Sequence, residues 1–210
     1  ALDRYGNGQT TWTPNTATTG NTALVRVRSE SIADTSDAGF LVANSGTSYY
    51  VNDGSLDGDS YTIAVGDDRN SGKSPGAPMA SLAALLEAYD LEPGDTIYVD
   101  AGAYAVLRDL VIDAEDSGVT IKGPATGTAL LDRGNRSTGT SVIRLAGADN
   151  VTLEGLSFTG GYYGVYAASG ADSDNLTIRD SVFFDAAGTG NTYTFVELET
   201  SNDDATITGS

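Results

Sequence analysis

A short apolar–threonine–apolar triplet recurs through the second half of this chain, and it constrains the fold more than any other feature. Val119-Thr120-Ile121, Val151-Thr152-Leu153, Leu176-Thr177-Ile178 and Ala205-Thr206-Ile207 align, with Thr96-Ile97-Tyr98-Val99 as an earlier relative. Taking Ile97, Ile121, Leu153, Ile178 and Ile207 as equivalent gives steps of 24, 32, 25 and 29 residues. Two further series of short strands fall between the triplets. One is Leu130-Leu131, Leu156-Ser157-Phe158 and Val182-Phe183-Phe184; the other is Val142-Ile143-Arg144-Leu145, Gly164-Val165-Tyr166-Ala167 and Phe195-Val196-Glu197-Leu198. Three short strands per step describe one coil of a solenoid, each strand pairing in parallel with its counterparts above and below. Alternation puts Val119, Ile121, Val151, Leu153, Leu176 and Ile178 inside and the threonines outside. An antiparallel sandwich, the competing all-β architecture, seldom repeats one triplet so regularly.

Composition narrows the function classes. Eleven Lys and Arg stand against 29 Asp and Glu, a formal net charge of −18, with no histidine and no cysteine. A nucleic-acid partner needs a basic face and is not expected. Disulfides, thiolate metal sites, the usual zinc, copper and haem ligand sets and a Ser-His-Asp triad are all excluded. No apolar run approaches the length of a membrane span, so membrane insertion is not expected. Abundant glycine (26 residues) and short apolar triplets spaced by Thr, Ser, Asn and Asp suit a turn-rich extracellular all-β protein.

Residues 81–90, Ser-Leu-Ala-Ala-Leu-Leu-Glu-Ala-Tyr-Asp, read as the one helix. Ser81 is its N-cap, and Leu82, Leu85, Leu86 and Tyr89 share a face. Placed ahead of the first coil, such a helix would cover exposed core and free strand edges. Residues 1–45 differ in character: Ala23–Ser29 alternates as a strand and Gly39–Ala43 reads as a second. The expected organisation is therefore a terminal-strand segment or linker over 1–45, a lead-in loop with the helix over 46–95, and coils over 96–210. The last triplet begins another coil, so the coils are expected to continue beyond residue 210 or to be covered there by another molecule. Asn150 and Asn175 each precede a triplet and read as turn residues tolerant of left-handed backbone, although they and Asn135 also fit the glycosylation sequon.

The run from Tyr49-Tyr50-Val51-Asn52-Asp53-Gly54 through Gly66-Asp67-Asp68-Arg69-Asn70-Ser71-Gly72, then Pro78, the helix, and Pro93-Gly94-Asp95-Thr96-Ile97-Tyr98-Val99 with Gly102-Ala103-Tyr104, resembles the start of pectin-lyase-like right-handed parallel β-helices. The resemblance covers about residues 49–210. Residues 12–43, with Trp12 and Asp34-Thr35-Ser36-Asp37, are similar to the closing strands of an immunoglobulin-like domain, a tandem found in giant bacterial surface proteins. The resemblance implies an all-β fold, a right-handed parallel β-helix with three-strand coils of about 24–32 residues and a short N-terminal capping helix. It does not fix the function, because that superfamily holds lyases, epimerases, tailspikes, adhesins and structural proteins.

Lyases of this kind carry calcium-binding carboxylates and a Lys or Arg base on the outer face of one sheet. The positions following each triplet here are Lys122, Glu154 and Arg179, the weak lyase-type candidates. One glutamate between two cations is a poor calcium site, and a plain charge ladder is the better reading of the three residues. Asp53-Gly54-Ser55-Leu56-Asp57-Gly58-Asp59 imitates half of an EF-hand loop without the closing glutamate. Asp53, Asp57, Asp59, Asp67, Asp68 and Asn70 are the calcium candidates, and Asp/Gly-rich turns without metal are the other reading. Tyr162, Tyr163 and Tyr166 are candidates for stacking on sugar rings, or for partial core packing. The outward threonines form a ladder like that of ice-binding solenoids, but a second threonine column is missing. The expected function is a non-enzymatic structural or adhesive module of a large secreted or cell-surface bacterial protein, partnered by neighbouring subunits or further domains of its own chain. End-to-end filament assembly belongs to that expectation. A uronate-polymer lyase or epimerase and a polysaccharide-binding β-helix are its rivals.

Overall fold

The computed structural model describes residues 20–29, 32–37, 40–42, 47–184, 190–191 and 193–210. Its contacts divide the chain into two units, 1–45 and 46–210. In the first, four short strands form two antiparallel pairs. β1 (Gly20–Ala23) pairs with β4 (Phe40–Val42), and β2 (Arg26–Ser29) pairs with β3 (Ile32–Thr35). The strand expected over 23–29 is thus interrupted at Leu24 and Val25, both exposed. The Val25 carbonyl still accepts from the Ser36 amide (2.8 Å), which extends the β2–β3 hairpin. Trp12, Gly39 and Ala43 lie outside the described residues.

The second unit is all-β with one short α-helix among its described residues, and its strands form three parallel sheets. The first sheet holds β5 (Ser48–Val51), β6 (Thr96–Val99), β9 (Thr120–Lys122), β12 (Thr152–Glu154), β15 (Thr177–Arg179) and β18 (Thr206–Thr208). The second holds β7 (Gly102–Ala105), β10 (Ala129–Asp132), β13 (Leu156–Thr159) and β16 (Val182–Phe183). The third holds β8 (Leu110–Asp113), β11 (Ser141–Ala146), β14 (Tyr163–Ala167) and β17 (Thr194–Leu198). From β7 onward the chain visits second, third and first sheet in unchanging order. The expected strand series all appear; β8 is an addition that the triplet spacing did not single out.

Register explains why the triplets repeat. Ile97, Ile121, Leu153, Ile178 and Ile207 are consecutive partners in the first sheet, as are Tyr104, Leu131, Phe158 and Phe183 in the second. A one-residue slip would turn each apolar column to the solvent, so burial fixes the pairing. Ile97, Ile121, Leu153 and Ile178 are fully buried, and Phe158 stacks on Phe183 with ring centroids 4.7 Å apart. The turns entering the first sheet repeat as well. Gly118, Asn150, Asn175 and Asp204 all have φ between 57° and 82°. Asn and Asp are the side-chain-bearing residues that tolerate this left-handed backbone best. Beside them the Asp149 carboxylate accepts from the Asp174 amide (2.9 Å) and the Asp174 carboxylate from the Asp203 amide (2.8 Å).

At the front, the chain seals its own sheet edges. The Tyr50 amide donates to the Gly72 carbonyl (2.7 Å), and the amides of Met79 and Asn52 donate to the carbonyls of Tyr50 and Met79. The Asp53 carboxylate accepts from the Ala103 amide of β7 (3.3 Å). Helix α1 (Leu82–Ala88) packs on β8, with Ser81 as N-cap accepting from the Ala84 amide (3.1 Å). Leu82, Leu85 and Tyr89 are buried and Leu86 half-buried, as the face predicted. Lys73 is half-buried, with its Nζ out of solvent 3.6 Å from the Tyr49 ring centroid and 4.8 Å from that of Tyr89. Burial pushes its amine below the usual lysine range. No described helix is long and apolar enough to cross a membrane.

Candidate functional site

The outer face of the first sheet carries two straight columns. One runs Ser48, Thr96, Thr120, Thr152, Thr177, Thr206; the other runs Tyr50, Tyr98, Lys122, Glu154, Arg179, Thr208. In the second column Glu154 bridges its neighbours, with Oε1 3.0 Å from Lys122 Nζ and Oε2 2.7 Å from Arg179 Nη2. Partial burial raises the Glu154 carboxyl, and the hydrogen bonds from Arg179 and Lys122 outweigh it, leaving the group below its ordinary range. The hydrogen bond to Glu154 pushes the Lys122 amine up. These three candidates are therefore brought together as one ion-paired ladder.

Beside this column lies a groove of about 430 Å³ lined by Tyr61, Lys122, Pro124, Glu154, Asp180 and Val182, among others. Its floor is the turn that leaves the first sheet, where successive cycles approach so closely that a Cβ on Gly123 would sit 2.0 Å from the Gly155 carbonyl oxygen. Tyr61 forms one wall. Its ring packs at 4.8 Å on Tyr98, which stacks on Tyr50 at 5.4 Å, and its hydroxyl donates to the Gly123 carbonyl (2.8 Å). Burial, followed by opposing influences of Lys122 and Glu154, raises the Tyr61 hydroxyl.

Tyr61 is held there by Asp100. This fully buried carboxylate accepts from the consecutive amides of Ser60 (2.6 Å), Tyr61 (2.8 Å) and Thr62 (2.7 Å), from the Thr62 hydroxyl (2.9 Å) and from the Ala101 amide (3.0 Å). Burial raises the Asp100 carboxyl, but the four amides prevail and hold it below the ordinary range. Neither Tyr61 nor Asp100 was singled out by sequence. Their partnership spans 38 to 40 residues and follows no period, so only the Asp at the end of a buried strand could have hinted at it.

The calcium candidates are spent on local structure. Asp67 pairs with Arg69, whose hydrogen bonds lower its carboxyl to about 2. Asp68 accepts from the amides of Ala80 (2.8 Å) and Ser81 (2.9 Å), and Asn70 donates to the Pro78 carbonyl (2.9 Å). Asp53 accepts from the Ser55 and Ala103 amides, Asp59 from Asn52 Nδ2 (2.7 Å), and Asp57 is exposed. Among the described residues no three His, Cys, Asp or Glu side chains come together in a way that could hold a metal ion. The carboxylates of the two loops are engaged instead by nearby amides, the Ala103 amide of β7 among them, and by Asn52 and Arg69.

Tyr162, Tyr163 and Tyr166 do cluster, joined by Tyr193. Tyr163 stacks on Tyr166 (4.5 Å, 9°) and Tyr162 on Tyr193 (4.9 Å, 3°). The Tyr166 hydroxyl donates to Glu199 Oε1 (3.1 Å), and Arg144 lies 5.7 Å from its ring centroid. The rings thus use much of their stacking surface on one another. Asn135 accepts from the Ser137 amide (3.0 Å), closing a turn of its own.

No family model matches the chain, and no curated protein and no solved structure matches it either.

Proposed function

We propose that residues 46–210 wind as a right-handed parallel β-helix of the pectin-lyase-like kind, serving as a non-enzymatic structural or adhesive module of a large secreted or cell-surface bacterial protein. Three parallel sheets visited in constant order support the coil, and parallel crossovers within one sheet are right-handed in about 98% of cases. The segment before residue 46 would be the closing strands of an immunoglobulin-like domain. Further domains of the chain, or neighbouring subunits, would be its partners. Residues 72–79 already bond the outer edge of β5, so a neighbouring subunit would find that edge occupied.

The observation that carries the non-enzymatic reading is the Lys122–Glu154–Arg179 ladder. Abstracting a proton beside a uronate carboxylate requires a base with a lowered pKa and a cation free to neutralise the enolate. Here the hydrogen bond to Glu154 raises Lys122, and both cations are committed to Glu154. The second reading, polysaccharide binding without turnover, rests on the groove beside Tyr61, where an aromatic face adjoins charged hydrogen-bonding groups. Incubation with polygalacturonate and with alginate tests both. The expected result is no unsaturated uronate product. Saturable binding lost in Tyr61→Ala would favour the second reading; product formation abolished by Lys122→Ala would overturn both and establish a lyase.

A further inference from the structure

We propose that the tyrosine patch at the third sheet is a redox site, which takes up oxidation at Tyr193 and holds it on Tyr166 as a neutral phenoxyl radical. Four rings form one unbroken path. Tyr193 stacks on Tyr162 (4.9 Å, 3°), Tyr162 meets Tyr163 edge-on (4.8 Å, 90°), and Tyr163 stacks on Tyr166 (4.5 Å, 9°). All three are direct ring contacts. The path has an outer and an inner end. Tyr193 is 63% exposed, whereas every other tyrosine among the described residues is half-buried or buried. The chain has no cysteine and its single methionine, Met79, is buried, which leaves Tyr193 as an early target of oxidation. At the other end Tyr166 is half-buried on β14, and its hydroxyl donates to Glu199 Oε1 (3.1 Å).

The chemistry follows from that last hydrogen bond. A phenol that gives up an electron becomes a strong acid, so its proton needs a base within reach. Glu199 supplies one, and the Ser169 amide fixes its other oxygen, Oε2 (2.9 Å). Burial, then the hydrogen bond to Glu199, raises the Tyr166 hydroxyl, so it keeps its proton until an electron leaves. Arg144 and Glu197 are the partners of Tyr166 on β11 and β17. Arg144, 5.7 Å from the ring centroid, opposes a lasting positive charge there, so proton and electron leave together. A one-electron oxidant takes an electron from Tyr193, and the deficit passes through Tyr162 and Tyr163. Each of these three rings recovers its electron and keeps its proton. Tyr166 supplies the electron, its O–H bond breaks, and the proton bonds to Glu199 Oε1. The other aromatic groups each lack one part. Tyr50, Tyr98 and Tyr61 also form a row, but Tyr61 donates to a backbone carbonyl, which takes no proton. Tyr49 faces the Asp95 carboxylate, yet it and its ring partner Tyr89 are buried, so no exposed ring leads in.

The test oxidises the full chain with ruthenium tris-bipyridine and persulfate under light, a photogenerated one-electron oxidant. Electron paramagnetic resonance follows the radical, and peptide mass spectrometry locates dityrosine. The native radical should outlive that of Tyr166→Phe by about tenfold or more, the ratio set by one hydrogen bond to a charged group. Glu199→Gln, whose amide accepts the hydrogen bond but not the proton, should be as short-lived as Tyr166→Phe. Both variants should form more dityrosine between chains through Tyr193, because the radical then stays at the exposed ring. Tyr193→Phe should lower the yield of the radical without shortening its lifetime. Circular dichroism checks that each variant keeps its fold. A radical that decays equally fast in the native, Tyr166→Phe and Glu199→Gln chains would overturn the proposal, as would a native yield in Tyr193→Phe.

Discussion

Between residues 52 and 80 the chain is anchored by polar side chains reaching backbone amides, whereas from residue 96 onward it is held by apolar columns repeated cycle after cycle. Asp100 fixes three consecutive amides of the front loop, and Asp68 fixes the two amides ahead of the helix. In the stacked cycles, Ile97, Ile121, Leu153 and Ile178 contact one another across strands and leave no polar atom to satisfy. Polar anchoring is directional and local, so it can shape a unique loop. Apolar stacking is non-directional and cumulative, so it can be extended by repetition.

The largest effect should come from breaking a column. Leu153→Ala is expected to cost about 2–5 kcal/mol in urea unfolding, because a fully buried side chain is removed between two strands of the sheet. Asp100→Ala strips the front loop of its acceptor, and about 1–3 kcal/mol is expected for the amides it orphans. Exchange at Ser60–Thr62 should rise while that of β12 and β15 stays slow. If Asp100→Ala cost more than Leu153→Ala, or loosened the central strands, the contrast between the two regions would fail.

Asp116 sharpens the comparison where the regions meet. It is buried, accepts from the Leu91 amide between α1 and β6 (3.2 Å), and is raised by burial from its ordinary value of 3.8 to about 6. A raised carboxyl favours the neutral folded form. Its contribution is complete below pH 4 and is lost as pH rises through about 6. Asp116→Asn should therefore be more stable than the native chain at pH 7 by about 1–2 kcal/mol, with the gap closing toward pH 4 in thermal melts. The smallest effect belongs to the ladder: Lys122→Met should change stability by less than about 1 kcal/mol, because the pair lies near the surface and Glu154 keeps its second partner, Arg179.

The stacked cycles were legible in the sequence because a period and an alternation specify them: the triplets gave their register, and Asn150 and Asn175 their turns. The charge ladder followed from the same register, with Lys122, Glu154 and Arg179 each one place after a buried residue. Helix α1 was legible from its cap and apolar face. The front loop was not, since Asp100 and Thr62 lie 38 residues apart and no local pattern joins them. The acidic loops were ambiguous for a related reason. Carboxylates in Asp/Gly-rich turns look alike in sequence whether they bind calcium or close on their own amides.

Parallel in-register stacking is best tested by cross-linking, which the absence of native cysteine makes clean. Thr152 and Thr177 are direct partners on adjacent strands, whereas Thr120 and Thr177 have one strand between them. Adjacent strands stand about 4.8 Å apart, within disulfide reach, and next-nearest strands about twice that. Mild oxidation should close a disulfide in the Thr152→Cys/Thr177→Cys variant and none in Thr120→Cys/Thr177→Cys. A bond in the second pair, or in neither, would contradict the stacking on which the whole account stands.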